Sequence, residues 1–130
     1  MPNFTILCPN AFDYISNKTG NMLIRYRPQE VCCVIDPMKF GKTAQDVLGY
    51  GGKIPVVSNF NEAKDYSPNA MVIGSSTQGG RINGQYRKEI TAAINYGCDI
   101  YNGMHQFLND DPELATLAKK ETVTLNDIRR

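Results

Sequence analysis

Ala70–Tyr101, AMVIGSSTQGGRINGQYRKEITAAINYGCDIY, decides the fold. Ala70–Ile73 is a short unbroken apolar run, the pattern of a strand buried on both faces. It opens into the polar, glycine-bearing loop Gly74–Arg81. Gly84–Tyr96 then reads as a helix, with Tyr86, Ile90, Ala93 and Ile94 along one side and Arg87, Lys88 and Glu89 elsewhere. Gly97 is a helix stop, and Cys98–Tyr101 is the next strand. Two strands joined through a helix of this length pair in parallel, because a hairpin needs no such crossover.

The same alternation extends outward in both directions. Phe4–Cys8, Val31–Ile35 and Ile54–Val57 are apolar strands, and Val123–Ile128 is a last one. Asn17–Arg27 is a helix ended by Pro28, with Met22, Leu23 and Tyr26 on one face. Thr43 caps a short helix carrying Ala44, Val47 and Leu48, stopped by Gly49, Gly51 and Gly52. Asn61–Tyr66 is another short helix, and a final one starts near Asp110–Pro112 with Leu114, Leu117 and Ala118 facing the core. The predicted architecture is a single α/β domain over 1–130, a Rossmann-like doubly wound, three-layer αβα fold. Its mostly parallel sheet has order 3-2-1-4-5 plus an edge strand. That order places a ligand crevice beyond the carboxyl ends of strands one and four.

Lys and Arg number 14 against 13 Asp and Glu, a net charge of +1. No bulk field exists to draw in nucleic acid or an acidic membrane, so an anion must be held by a local constellation. The amino end lacks a signal-peptide pattern, and no apolar run reaches the roughly 20 residues of a membrane span. A cytoplasmic location is expected. Cys8, Cys32, Cys33 and Cys98 read as reduced packing residues, and adjacent Cys32 and Cys33 are expected to point to opposite faces of their strand and to form no ordinary bridge. No metal-ligand spacing occurs, and His105 is the single histidine.

Four loops end at the inferred crevice. The first lacks Gly-x-Gly-x-x-Gly, its one glycine being Gly20, so backbone cannot approach a pyrophosphate and conventional NAD binding is disfavoured. Ser16-Asn17-Lys18-Thr19 stands there instead. Lys18 and Thr19 either hold a phosphate beside a helix start, or follow an ordinary Ser16 or Asn17 cap with the lysine solvated. Asp36 ends strand two where a ribose-binding acid belongs, and Asp-Pro is equally a turn starter. Phe40-Gly41-Lys42-Thr43 is not a P-loop, because position 36 carries a carboxylate where that loop needs glycine. Lys42 remains a candidate to neutralise a phosphate at the crevice mouth, against a solvated surface lysine. Gly79-Gly80 frees the loop after strand four to approach a ligand. His105 is either an anion contact at a helix start or a capping and packing residue. No catalytic pair can be assembled, so no catalytic residue is assigned and catalysis by this chain alone is not expected. Phe12, Tyr14 and Phe40 are apolar positions expected at the surface, suited to docking.

GNMLIRY, VCCVIDPMKFGKTAQDVLG, NAMVIGSSTQGGRI and YRKEITAAINYGCDIYNGMHQFLNDDPELATLAKK together resemble the N-terminal domain of domain-of-unknown-function family 1611. The resemblance spans nearly the whole chain, and NGMHQFLNDDPELA is its most specific block. The family motifs fall on Lys18, Thr19, Arg25, Asp36, Gly41, Lys42, Gly74, Gly79, Gly80, Gly103, His105, Asp110, Asp111 and Pro112. The resemblance implies a Rossmann-like domain forming the N-terminal half of a two-domain protein, with a P-loop domain supplied in cis or trans. It also implies kinship with D-glutamate N-acetyltransferases. The expected ligand is a small anion or a phosphate-bearing cofactor, CoA, acetyl-CoA or a nucleotide, in a homo-oligomer. The alternative is a scaffold or dimerisation domain without a cofactor.

Overall fold

The computed structural model describes residues 2–74, 82–104 and 106–128. Strands β1 (Phe4–Leu7), β2 (Val31–Ile35), β3 (Val56–Val57), β4 (Ala70–Ile73), β5 (Asp99–Asn102) and β6 (Leu125–Asp127) form one sheet. Its order is β3-β2-β1-β4-β5-β6, and every neighbouring pair is parallel. The predicted Rossmann-like order is therefore present, with β6 added beside β5. The helices are α1 (Lys18–Tyr26), α2 (Ala44–Leu48), α3 (Phe60–Ala63), α4 (Gly84–Tyr96) and α5 (Pro112–Glu121).

Alternate strand residues feed two cores, as the period of a strand requires. Ile6, Val34 and Val72 pack with Phe12, Ile24 and Leu48 on the side of α1 and α2. Leu7, Ile35, Met71, Ile73 and Ile100 pack with Phe60, Ile90, Ile94 and Leu114 on the side of α3, α4 and α5. Strand five and its helix are held by local chemistry. The Asn83 side chain accepts from the Tyr86 N–H at the start of α4, and Gly97 closes the helix at φ 101°. No described helix is long and apolar enough to cross a membrane.

Three expectations change. Phe12 is buried, not a surface docking residue, whereas Tyr14 and Phe40 are exposed. The third strand shrinks to Val56–Val57, because Pro55 pairs antiparallel with Thr43 and the Ala44 N–H donates to the Ile54 carbonyl. Cys32 and Cys33 do not take opposite faces. Phe4 pairs with Val31 but Thr5 with Cys33, so Cys32 is the extra residue of a β-bulge. Both thiols then lie toward the α3–α5 side, with their sulfurs 3.8 Å apart.

Arg87 of α4 clamps the start of α5. Its guanidinium pairs with both carboxylate oxygens of Asp111, while Asp111 also accepts from the Glu113 and Leu114 N–H groups as the cap of α5. The Arg87 hydrogen bond, against a smaller burial effect, lowers the Asp111 pKa to about 2. A carboxyl depressed on folding stabilises the protein above its ordinary pKa near 4, and the benefit fades as pH falls toward 2. Asp111→Ala should cost about 1–3 kcal/mol in urea unfolding at pH 7. The difference from wild type should shrink between pH 4 and pH 2; a gap independent of pH would contradict the assignment.

Candidate functional site

The carboxyl ends of β1, β2, β4 and β5 are tied together by side chains. Asp36, fully buried, accepts from the N–H groups of Asn10 at 2.8 Å, Met38 at 2.9 Å and Phe12 at 3.1 Å. It thereby starts the turn Pro37–Lys39 and pulls the loop after β1 over the sheet, sinking Phe12 into the core. With its two oxygens engaged by three backbone donors, Asp36 serves as the turn starter. The Asn10 amide reaches Gln85 at the start of α4, and the Gln106 side chain accepts from the Ile82 N–H.

The turn after β5 is fixed by Asn102. Its carbonyl oxygen accepts from the Met104 N–H, and its NH2 donates to the Gln106 carbonyl and to Asp127. Burial opposes ionisation of Asp127, yet donors from Asn102, Asn109 and Leu108 outweigh it and lower the carboxyl's pKa. Among the described residues, no group of three or more His, Cys, Asp or Glu side chains is placed to hold a metal ion.

At the centre of this rim, α1 meets the end of β4. The Gly20 N–H donates to the Gly74 carbonyl at 3.4 Å. A Cβ on Gly20 would stand 2.6 Å from Asn17 Oδ1 and 2.7 Å from Ile6 Cγ2. On Gly74 it would overlap Asn17 Oδ1 and come within 3.1 Å of the Gly20 Cα. Two glycines are therefore required for helix and strand to touch. Asn17, the buried residue before α1, turns inward: its NH2 donates to Asn21 Oδ1, and the Asn21 NH2 donates to the Asp13 carbonyl. That relay fixes Asn17 Oδ1 toward Gly20 and Gly74, where it is buried and finds no hydrogen-bond partner among the described residues.

Because Asn17 is used this way, it does not cap α1. Helices α2, α4 and α5 each begin on a side-chain acceptor, from Thr43, Asn83 and Asp111. Among the described residues no side-chain cap is seen at the first turn of α1, whose Gly20 N–H is taken by the Gly74 carbonyl, at the switch point of the sheet. Exposed Thr19 lies beside the turn after β5, its Oγ1 3.8 Å from where a Gly103 Cβ would stand. Lys18 is also exposed and turns the other way, into a shallow depression shared with Tyr14, Arg25 and Tyr50.

The expected cluster is thus only partly assembled. Lys18 and Thr19 stand at the rim, on different sides of α1. Lys42 does not: after Gly41 the chain runs back along the outer edge of β3, where the Lys42 carbonyl accepts from the Val56 N–H. Three strand spacings, roughly 14 Å, separate that edge from β1. Gly79, Gly80 and His105 lie outside the described residues. Sequence reasoning missed Asn21 and offered Asn17 as an ordinary helix cap, which it is not; the signal was a second asparagine, four residues on, beside the segment's single glycine.

A doubly wound parallel domain with strand order β3-β2-β1-β4-β5-β6 belongs to the Rossmann-like class. The profile of the family described as "Domain of unknown function (DUF1611_N) Rossmann-like domain" matches residues 37–130, and the chain belongs to that family. It is similar to a D-glutamate N-acetyltransferase of Tritonibacter scottomollicae, 37% identical over 68 residues, 52% of this chain and 20% of that protein. A D-glutamate N-acetyltransferase of Pseudoalteromonas sp. is 27% identical over 128 residues, 98% of this chain and 36% of that protein. The crystal structure of a DUF1611 family protein from Anabaena variabilis superposes with a TM-score of 0.90 at 28% identity, covering 100% of this chain and 38% of that one. The chain thus spans well under half the length of these relatives.

The packing at the switch point predicts a coupled pair. Gly74→Ala should destabilise the domain by about 1–3 kcal/mol through overpacking. Asn17→Ala removes one of the groups the new methyl meets, so the double variant should be more stable than the sum of the two losses implies, by at least about 0.5 kcal/mol. Strict additivity in denaturant titrations would mean that the amide does not fill the space above Gly74.

Proposed function

We propose that this domain holds an anionic ligand, a phosphate-bearing cofactor of the CoA or nucleotide kind or a small carboxylate, beyond the carboxyl ends of β1 and β4. The observation that carries the reading is the start of α1. It lacks a side-chain cap, points its positive end at the switch point, and has Lys18 and Thr19 as its first two residues. Gly79, Gly80 and His105 belong to the segments that follow β4 and β5 and are candidates to complete the site. Lys42 and Asp36 take no part, the one on a remote edge, the other consumed by three backbone donors.

Two longer relatives bear the name D-glutamate N-acetyltransferase. In such a cytoplasmic protein, this domain would supply one anion-holding half while a further domain, of P-loop type by the family resemblance, supplies the rest. Calorimetry with acetyl-CoA, CoA, ATP, NAD and D-glutamate tests the binding claim. One of the anions should give saturable heat, and Lys18→Ala should weaken it about three- to tenfold. Absence of heat from every one refutes the reading.

A groove favours a second reading, a docking scaffold. Helices α1 and α2 pack on β3, β2 and β1 and reach β4 through Val72 and Gly74. Beside them a cavity of about 270 Å³ is lined by Phe4, Met22, Leu23, Tyr26, Tyr101 and Ile128. Met22, Tyr26 and Ile128 are exposed. If a second copy seats there, light scattering at high concentration should give a mass above the monomer, and Met22→Glu should restore the monomer; a wild-type monomer at every concentration would exclude self-docking.

A further inference from the structure

The bulge in β2 gives the four cysteines unequal fates. All are free, and only Cys32 is partly exposed, while Cys8, Cys33 and Cys98 are buried. In a regular strand Cys32 and Cys33 would sit on opposite faces. Here Val31 and Val34 keep to the α1 side, whereas Cys32 and Cys33 both turn to the α3–α5 side. Their sulfurs come to 3.8 Å, and the Thr5 hydroxyl stands 3.2 Å from Cys33 Sγ. An accessible thiol therefore has a sheltered thiol at its side. The Cys32 thiol donates to Cys33 Sγ across this gap. Cys32 is the member that a small oxidant reaches, and Cys33 is the buried neighbour beside it.

We propose that Cys32 is an oxidation site for hydroperoxides, with Cys33 as its resolving thiol. The Cys32 thiolate attacks the outer peroxide oxygen. The O–O bond breaks, the sulfur becomes a sulfenic acid, and the other oxygen leaves as hydroxide or alkoxide. Cys33 then gives up its thiol proton and attacks the Cys32 sulfur. The S–O bond breaks, the oxygen leaves as water, and a disulfide joins the two neighbours. Two thiols are oxidised, and one peroxide is reduced to water and, for an organic peroxide, an alcohol. Adjacent Cα atoms lie about 3.8 Å apart, below the roughly 4.4 Å minimum of ordinary disulfides, so the product is strained and readily reduced. This reading is independent of ligand binding at the rim, because β2 presents its thiols on the opposite face from α1.

The tryptic peptide spanning residues 26–39 contains Cys32 and Cys33 and neither of the other cysteines. The folded chain is treated with a small excess of hydrogen peroxide, alkylated, digested and weighed. The peptide is expected two hydrogens lighter and unalkylated, with two alkylatable thiols restored by dithiothreitol, while Cys8 and Cys98 stay reduced and the intact mass stays that of one chain. In Cys33→Ser the oxidation should stop at a sulfenic acid on Cys32 that dimedone traps. In Cys32→Ser, Cys33 should react at least about tenfold more slowly. The proposal falls if both cysteines of the wild-type peptide stay fully alkylatable, or if fragmentation places two or three added oxygens on a cysteine, apart from any sulfoxide at exposed Met38, without a disulfide. Equal reactivity of Cys33 in Cys32→Ser would overturn the assignment of the attacking thiol. Should either variant fail to fold, the wild-type peptide alone decides whether the disulfide forms.

Discussion

The contact between Gly20 and Gly74 governs the carboxyl end of the sheet. A helix can lie against the end of a neighbouring strand only where both backbones lack a Cβ, and Ile6 and the Asn17 amide occupy the space that side chains would take. This approach sets where α1 begins. It also diverts Asn17 from capping, since one amide cannot serve the helix start and the glycine pair together. The open helix end follows from the packing beneath it. Dinucleotide-binding folds use glycine at this junction for close helix–strand packing as well as for access to phosphate. Here the packing role is kept, while the glycines that let backbone reach a pyrophosphate are missing from the first loop.

Asp36 illustrates how position and role separate. It stands at the end of the second strand, where a sugar-binding acid belongs in a dinucleotide fold, yet both its oxygens are engaged from within. A buried carboxylate needs such donors to offset the loss of water. The three N–H groups come from the loops after β1 and β2, so the charge fastens two crevice walls together.

The architecture was legible because its signals are local. Apolar runs, the start of the last helix near Asp110–Pro112 and the Gly97 stop each act within a few residues, and the strand order is that of the doubly wound class. What escaped depends on distant partners. Phe12 looked exposed in a polar loop until Asp36 drew that loop inward. Lys42 follows strand two closely in the chain, but antiparallel pairing with 54–56 carries it down the far edge. Cys32 broke its alternation through a register shift against Phe4 and Thr5, a property of the pair of strands and invisible in either alone. Of the candidate site, the helix start was readable from Lys18-Thr19; the inward turn of Asn17 was not, since it requires Gly74 from another strand.

The run that removes Lys42 from the crevice has a consequence of its own. An outermost strand ordinarily offers unpaired backbone groups that recruit foreign chains into fibrils. Beside β3 the Gly41 N–H and the Lys42 carbonyl take up the carbonyl and N–H of Val56, and Ala44 engages Ile54. This margin of the sheet is sealed by its own polypeptide. The two-residue strand, too short to defend itself by length or charge, is shielded from templated aggregation.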